Sequence, residues 1–149
     1  MKALAIGTLL ATLFGSFVEP VTSWEVSVDT EEDIEEEMFY DSLEMVAACV
    51  EAEAGNQDMY GKRLVVDVIF NRVDDPRFPN TIEGVISQKG QFSVYPYAMY
   101  AVEPSEETYE AVRMELDERS DDEILFFSAG GYLSCCTPAY KYGDHYFGR

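Results

Sequence analysis

Positive charge is scarce in this chain: 10 Lys and Arg face 29 Asp and Glu over 149 residues, a formal net charge of −19. Such a surface excludes nucleic acid as a partner, because phosphate binding needs a basic face. It disfavours docking on anionic lipid for the same reason. Other polyanions are repelled as well, so binding one requires a shaped groove. Histidine occurs once, at His145, and cysteine only at Cys49, Cys135 and Cys136, with no Cys-x-x-Cys pair. A zinc site would have to be completed by carboxylates, so neither metal nor cofactor is expected. The odd cysteine count leaves at least one thiol unpaired. A bridge from Cys49 to Cys135 or Cys136 stays open for a chain exported to an oxidising compartment.

Long apolar runs are also nearly absent. The one extended stretch, Ala3 to Val18, follows Met1-Lys2 and leads into Glu19-Pro20-Val21-Thr22-Ser23. A basic start, a short apolar run and small residues at its end fit a secretory signal over residues 1–23, cut before Trp24. The run falls short of the ~20 apolar residues of a membrane span, so no stable span is expected after cleavage. Residues 24–41 are dominated by acids, with Glu31-Glu32-Asp33 and Glu35-Glu36-Glu37 interleaved with Ile34, Met38, Phe39 and Tyr40. Self-repulsion there predicts a solvated linker.

What remains, 42–149, has the apolar content for one compact core and not for two. Ser42 is the expected N-cap of a first helix whose buried stripe is Leu43, Val46, Ala47, Val50 and Ala54. Glu53 lies at the margin of that stripe, just before the stop at Gly55-Asn56. A second helix is expected over Met59 to Arg72, with Leu64, Val65, Val68 and Ile69 inward, and a short one after Asn80-Thr81. An irregular aromatic segment runs from Gly90 to Tyr100. A further helix opens at Pro104-Ser105 and turns Val112 and Leu116 inward. Ile124-Leu125-Phe126-Phe127 reads as a buried strand, and Tyr140 to Phe147 as a second strand or an extended tail. The expected fold is a single, mainly helical α+β domain with a small sheet.

By spacing alone, Glu53 reads as one more surface glutamate. Four blocks give it company: Glu53-Ala54-Gly55-Asn56 with Gly61 and Val65 through Asn71-Arg72-Val73; Pro76-Arg77-Phe78-Pro79-Asn80-Thr81-Ile82 with Gly84-Val85-Ile86; Gly90-Gln91-Phe92-Ser93; and Gly143-Asp144-His145-Tyr146-Phe147. In order and at compatible spacings, they resemble the SleB/CwlJ-type cell wall hydrolases, the family of the spore cortex-lytic enzymes. The resemblance implies a lysozyme-like (lytic transglycosylase-like) fold, a peptidoglycan glycan strand as substrate, and Glu53 as the catalytic acid. With the signal-like start, export to the cell wall or spore envelope is expected, and the chain is expected to be a monomer. The chain departs from the family at Gly55, where arginine or another larger residue is common, and this removes any charge assistance from that position.

Breaking a glycosidic bond requires a proton on the leaving oxygen while positive charge grows on the sugar. A carboxyl held in less polar surroundings than water can keep that proton. Phe92, Tyr95 or Tyr97 would supply such surroundings. Gln91 and Ser93 are expected to hydrogen-bond sugar groups with Phe92 packed behind them, and His145 to position the loop or bind sugar. Asn71 and Arg72 are expected to brace the second helix rather than touch substrate. Asp58, Asp67 and Asp144 are the candidates for a second carboxylate, and none is marked by spacing. Enzymes resembling this one often work with one glutamate, the muramic acid C6 hydroxyl attacking to give an anhydro product. That reading is favoured over hydrolysis. Two rivals remain: a cysteine peptidase using Cys49 and His145, with Asn71 or Asp144 as orienter, and a wall-binding module without turnover.

Overall fold

The computed structural model describes residues 30–92, 95–97 and 101–149; the signal-peptide expectation for 1–23 lies outside them. Among these residues, four helices of defined range come first: α1 Glu31–Ala54, α2 Met59–Asp74, α3 Ile82–Ile86 and α4 Glu106–Asp117. Three short strands follow: β1 Phe126–Ser128, β2 Pro138–Tyr142 and β3 His145–Gly148, in an antiparallel sheet of order β1-β3-β2. This is the mainly helical α+β domain expected. No helix among the described residues is long and apolar enough to cross a membrane.

The acidic run from Glu31 to Asp41 is not an irregular linker. It is the first half of α1, and the cap is Thr30, not Ser42. Thr30 Oγ1 accepts from the Asp33 amide at 3.2 Å while Asp33 Oδ2 accepts from the Thr30 amide at 2.8 Å, a closed capping box. Glu31, Glu32 and Asp33 fill the first turn, where the helix dipole favours negative charge. Ser42 sits mid-helix and turns its hydroxyl back to the Met38 carbonyl at 2.8 Å. Solvation of the run is nevertheless kept, since residues 30–41 are all exposed.

Helix α2 runs through the centre, with every residue from Leu64 to Arg72 buried. Its one flank packs with Val46, Val50 and Ala54 of α1, with Ile86 of α3 and with Phe92. Its other flank packs Leu64 and Val68 on Ile124 and on Phe147 of the sheet. The Tyr140–Phe147 segment is a hairpin rather than one strand. Gly143, at φ 50°, makes the turn and lets β3 pair with both neighbours.

Buried charge joins the helices. The Lys62 ammonium, 2% exposed, donates to Glu107 at 2.7 Å. The Glu51 carboxylate accepts from the Ser105 amide at 3.0 Å, from its hydroxyl at 2.8 Å and from Thr108, and so caps α4. Burial works against the Glu51 charge, but the bonds from Thr108 and Ser105 outweigh it and hold this carboxyl below its ordinary range.

In α4 the expected inward Leu116 is exposed, and Glu115 is fully buried in its place. It lies against the equally buried Asp67 of α2, and it accepts from Arg63 and from both the amide and hydroxyl of Ser120, each at 2.8 Å. Two carboxyls this close cannot both ionise. Burial and the neighbouring Glu115 push Asp67 up to about 9, so it carries the proton, while Glu115 stays ionised. Because this folded value lies above the ordinary 3.8, Asp67's own stabilising contribution is complete below 3.8 and is lost as pH rises towards 9. Asp67→Asn, which keeps a donor but does not titrate, should therefore be more stable than wild type near neutrality and flatten the fall in thermal midpoint as pH rises. Glu115→Ala, which strands Arg63 and the Ser120 amide, should cost ~3 kcal/mol. Thermal melts of the three proteins across pH 6–10 check both expectations.

Candidate active site

Helix α1 carries Glu53 to within two residues of its end and leaves it half-buried. The chain beyond is tied across the fold by side chains. Asn56 Nδ2 and Gln57 Nε2 both donate to Asp144 Oδ2, at 3.1 and 2.9 Å, and the Asp144 amide donates to Gln57 Oε1 at 3.1 Å. Asp144 sits in the β2–β3 turn, directly before His145. The latch thus brings His145 to the side of the fold where Glu53 ends.

Between them lies a cleft of ≈ 570 Å³. Glu53 and His145 line it from α1 and β3, and Gly90 and Gln91 from the loop after α3. Phe126, Phe127 and Ser128 of β1 form another wall, continued by Ala129, Gly130, Leu133 and Cys135 of the loop behind β1. Arg72 reaches it from the last turn of α2. Glu53 is the one carboxylate lining this cleft among the described residues.

His145 is 5% exposed and edge-on to Phe127, ring centres 5.1 Å apart. Burial lowers its pKa below the ordinary 6.5, against the opposing pull of the Glu53 and Asp144 charges, so the imidazole is neutral at pH 7. Glu53 and His145 are thereby electrostatically linked across the cleft.

Of the other residues singled out by sequence, Gln91 lines the cleft, whereas Phe92 is 3% exposed and lies behind it, 6.0 Å from the Phe127 ring. Ser93 lies outside the described residues. Tyr95 and Tyr97 are 36% and 75% exposed in a turn and do not line the cleft. The aromatic wall comes instead from Phe126 and Phe127. Their side was not legible, because a short apolar run carries no alternation to say which ring faces a groove.

The candidate second carboxylates are all engaged elsewhere. Asp58 caps α2 through the Gly61 amide at 2.9 Å and accepts from the Tyr142 hydroxyl at 2.9 Å. Asp67 is buried against Glu115, and Asp144 holds the latch. Asn71 braces as expected, donating to the Asp121 and Ile124 carbonyls at 2.8 and 2.9 Å. Arg72 braces through Nε to the Leu125 carbonyl at 2.6 Å, but it also faces the cleft, which the sequence reading did not anticipate.

Cys49, the nucleophile of the peptidase rival, is 1% exposed in the core. Burial, reinforced by the Glu53 charge, pushes its thiol far above the ordinary value, the reverse of an activated thiolate. All three cysteines are free thiols, so no Cys49 bridge forms here.

The family model for cell wall hydrolases matches residues 56–147, beginning just after Glu53. The spore cortex-lytic enzyme of Bacillus subtilis (strain 168) is 27% identical over 88 residues, which is 58% of this chain and 29% of that protein. The chain therefore spans under a third of the curated relative it matches. The catalytic domain of the Bacillus cereus SleB protein superposes with a TM-score of 0.66 at 24% identity, covering 74% of this chain and 91% of that one. The catalytic domain of the germination-specific lytic transglycosylase SleB from Bacillus anthracis gives 0.66 at 25% identity, over 73% and 94%.

The latch makes a direct prediction. A Cβ at Gly143 would stand 2.0 Å from Gln57 Oε1, on a backbone already at φ +50. Gly143→Ala should cost ~1–2 kcal/mol in a denaturant titration. It should also lower activity at temperatures where the variant remains folded.

Proposed function

The chain belongs to the cell wall hydrolase family, and on that premise we propose that it cleaves the glycan strand of peptidoglycan with Glu53 as its acid. The bond is the one from C1 of N-acetylmuramic acid to O4 of the following N-acetylglucosamine. Glu53 gives its proton to that oxygen as the bond to C1 breaks and positive charge develops on the sugar. The muramic acid C6 hydroxyl then bonds to C1 and returns its proton to Glu53, leaving a 1,6-anhydro end and a regenerated acid. The protein would act, after export, at the cell wall or spore envelope.

The observation that carries this reading is that Glu53 is half-buried and is the one carboxylate, among the described residues, lining a cleft walled by Phe126 and Phe127. A two-carboxylate hydrolase needs a partner ~5–9.5 Å away to act as nucleophile or to activate water. An internal hydroxyl removes that need. His145, neutral beside Glu53, does not supply the second carboxylate that a two-carboxylate hydrolase needs. The groove also answers the charge problem, since recognition of uncharged sugar faces does not require a basic surface.

Glu53→Gln keeps the shape and removes the transferable proton. Solubilisation of purified peptidoglycan should fall by at least ~100-fold, with the thermal midpoint unchanged. Lysis by this variant at the wild-type rate would refute the assignment.

A further inference from the structure

Arg72 has a role that bracing does not exhaust. Its side chain is 3% exposed, and its guanidinium carbon lies 5.0, 5.3 and 5.6 Å from the ring centres of Phe78, Phe126 and Phe92. Its Nε is spent on the Leu125 carbonyl, but Nη1 is buried without a hydrogen-bond partner. Other buried or half-buried cations of the core have carboxylates: Lys62 has Glu107, and Arg63 has Glu115. Arg72 makes no ion pair among the described residues. An unmatched donor in apolar surroundings costs free energy that a ligand acceptor would recover. Arg72 lines the same cleft as Glu53.

The surroundings restrict what that acceptor is. Glu53 in the same cleft disfavours a second anion nearby. Phe126, which the guanidinium approaches, and Phe127 line the cleft with apolar rings. A 2-acetamido group combines an uncharged carbonyl oxygen with a methyl that packs on such rings. We infer that Arg72 is the residue that selects N-acetylated sugars, its guanidinium donating to an acetamido carbonyl whose methyl rests against Phe126 and Phe127. This rests on the glycan-cleaving reading above and names the sugar substituent that the cleft requires.

Chitotetraose and cellotetraose are uncharged tetrasaccharides that differ only in the 2-substituent, acetamido against hydroxyl. Calorimetric titration of the wild-type chain should show chitotetraose binding at least about 10-fold more tightly, the worth of one hydrogen bond from a charged donor. Arg72→Lys keeps the charge and loses the fork, so it should erase most of that preference and leave cellotetraose binding unchanged. A purely structural Arg72 would weaken both sugars alike. If the variant misfolds, the nitrogen resonances of the wild-type Arg72 guanidinium supply the test: they should move with chitotetraose and not with cellotetraose. Equal affinity for the two sugars, no binding of either, or a preference that survives Arg72→Lys overturns the inference. Lysis of peptidoglycan that depends on Glu53 would leave the catalytic reading standing in each of those cases.

Discussion

A single carboxylate, Asp144, joins the two ends of the domain. It accepts from Asn56 and Gln57, 88 and 87 residues away, and so locks the segment after α1 to the turn before β3. Each bond is exposed and worth ~1 kcal/mol, yet the site depends on the arrangement. Together with the Asp58–Tyr142 bond, it sets the end of α1, which carries Glu53, against the hairpin that carries His145. The hairpin closes over Gly143 because a side chain there would collide with Gln57. The turn glycine, the two amides and Asp144 therefore act as one unit, and the cleft is what that unit encloses.

On the proposed reading, the chain acts on a wall polymer while carrying a net charge of −19. Its acids are dealt with in two ways. Those on the outer half of α1 stay in water on a helix whose dipole favours them. Those inside are matched individually: Glu51 by the start of α4, Glu115 by Arg63, Ser120 and a protonated Asp67. The cleft differs from both, because Glu53 is its one carboxylate among the described residues. On the proposed reading, Glu53, set in a cleft with Phe126, Phe127 and a neutral imidazole, hands over a proton and takes it back.

Much of the architecture was legible in the sequence. The stripe of α1, the inward face of α2 and the α+β class follow from periodicity, and the four motif blocks pointed to the family. What escaped shares a physical cause. The acidic composition of 31–41 outweighed the Thr30–Asp33 capping box that starts the helix. Burial of Glu115 in place of Leu116 depends on Asp67, which lies on another helix and leaves no trace in local spacing. The split of the last strand at Gly143 turns on a contact with Gln57. Arg72 was read as a brace, which it is, but its unpaired nitrogen shows only once the three rings around it are in place. Gln91 and His145 line the cleft with Glu53, whereas Tyr95 does not.

The account stands on a single-glutamate reaction in which the sugar supplies its own nucleophile. Mass spectrometry of muropeptides released from purified peptidoglycan in oxygen-labelled water tests this most directly. Products ending in anhydromuramic acid, one water lighter and free of solvent oxygen, are the expected result. Reducing ends that carry the label would contradict it, because water, not the C6 hydroxyl, would then have attacked C1.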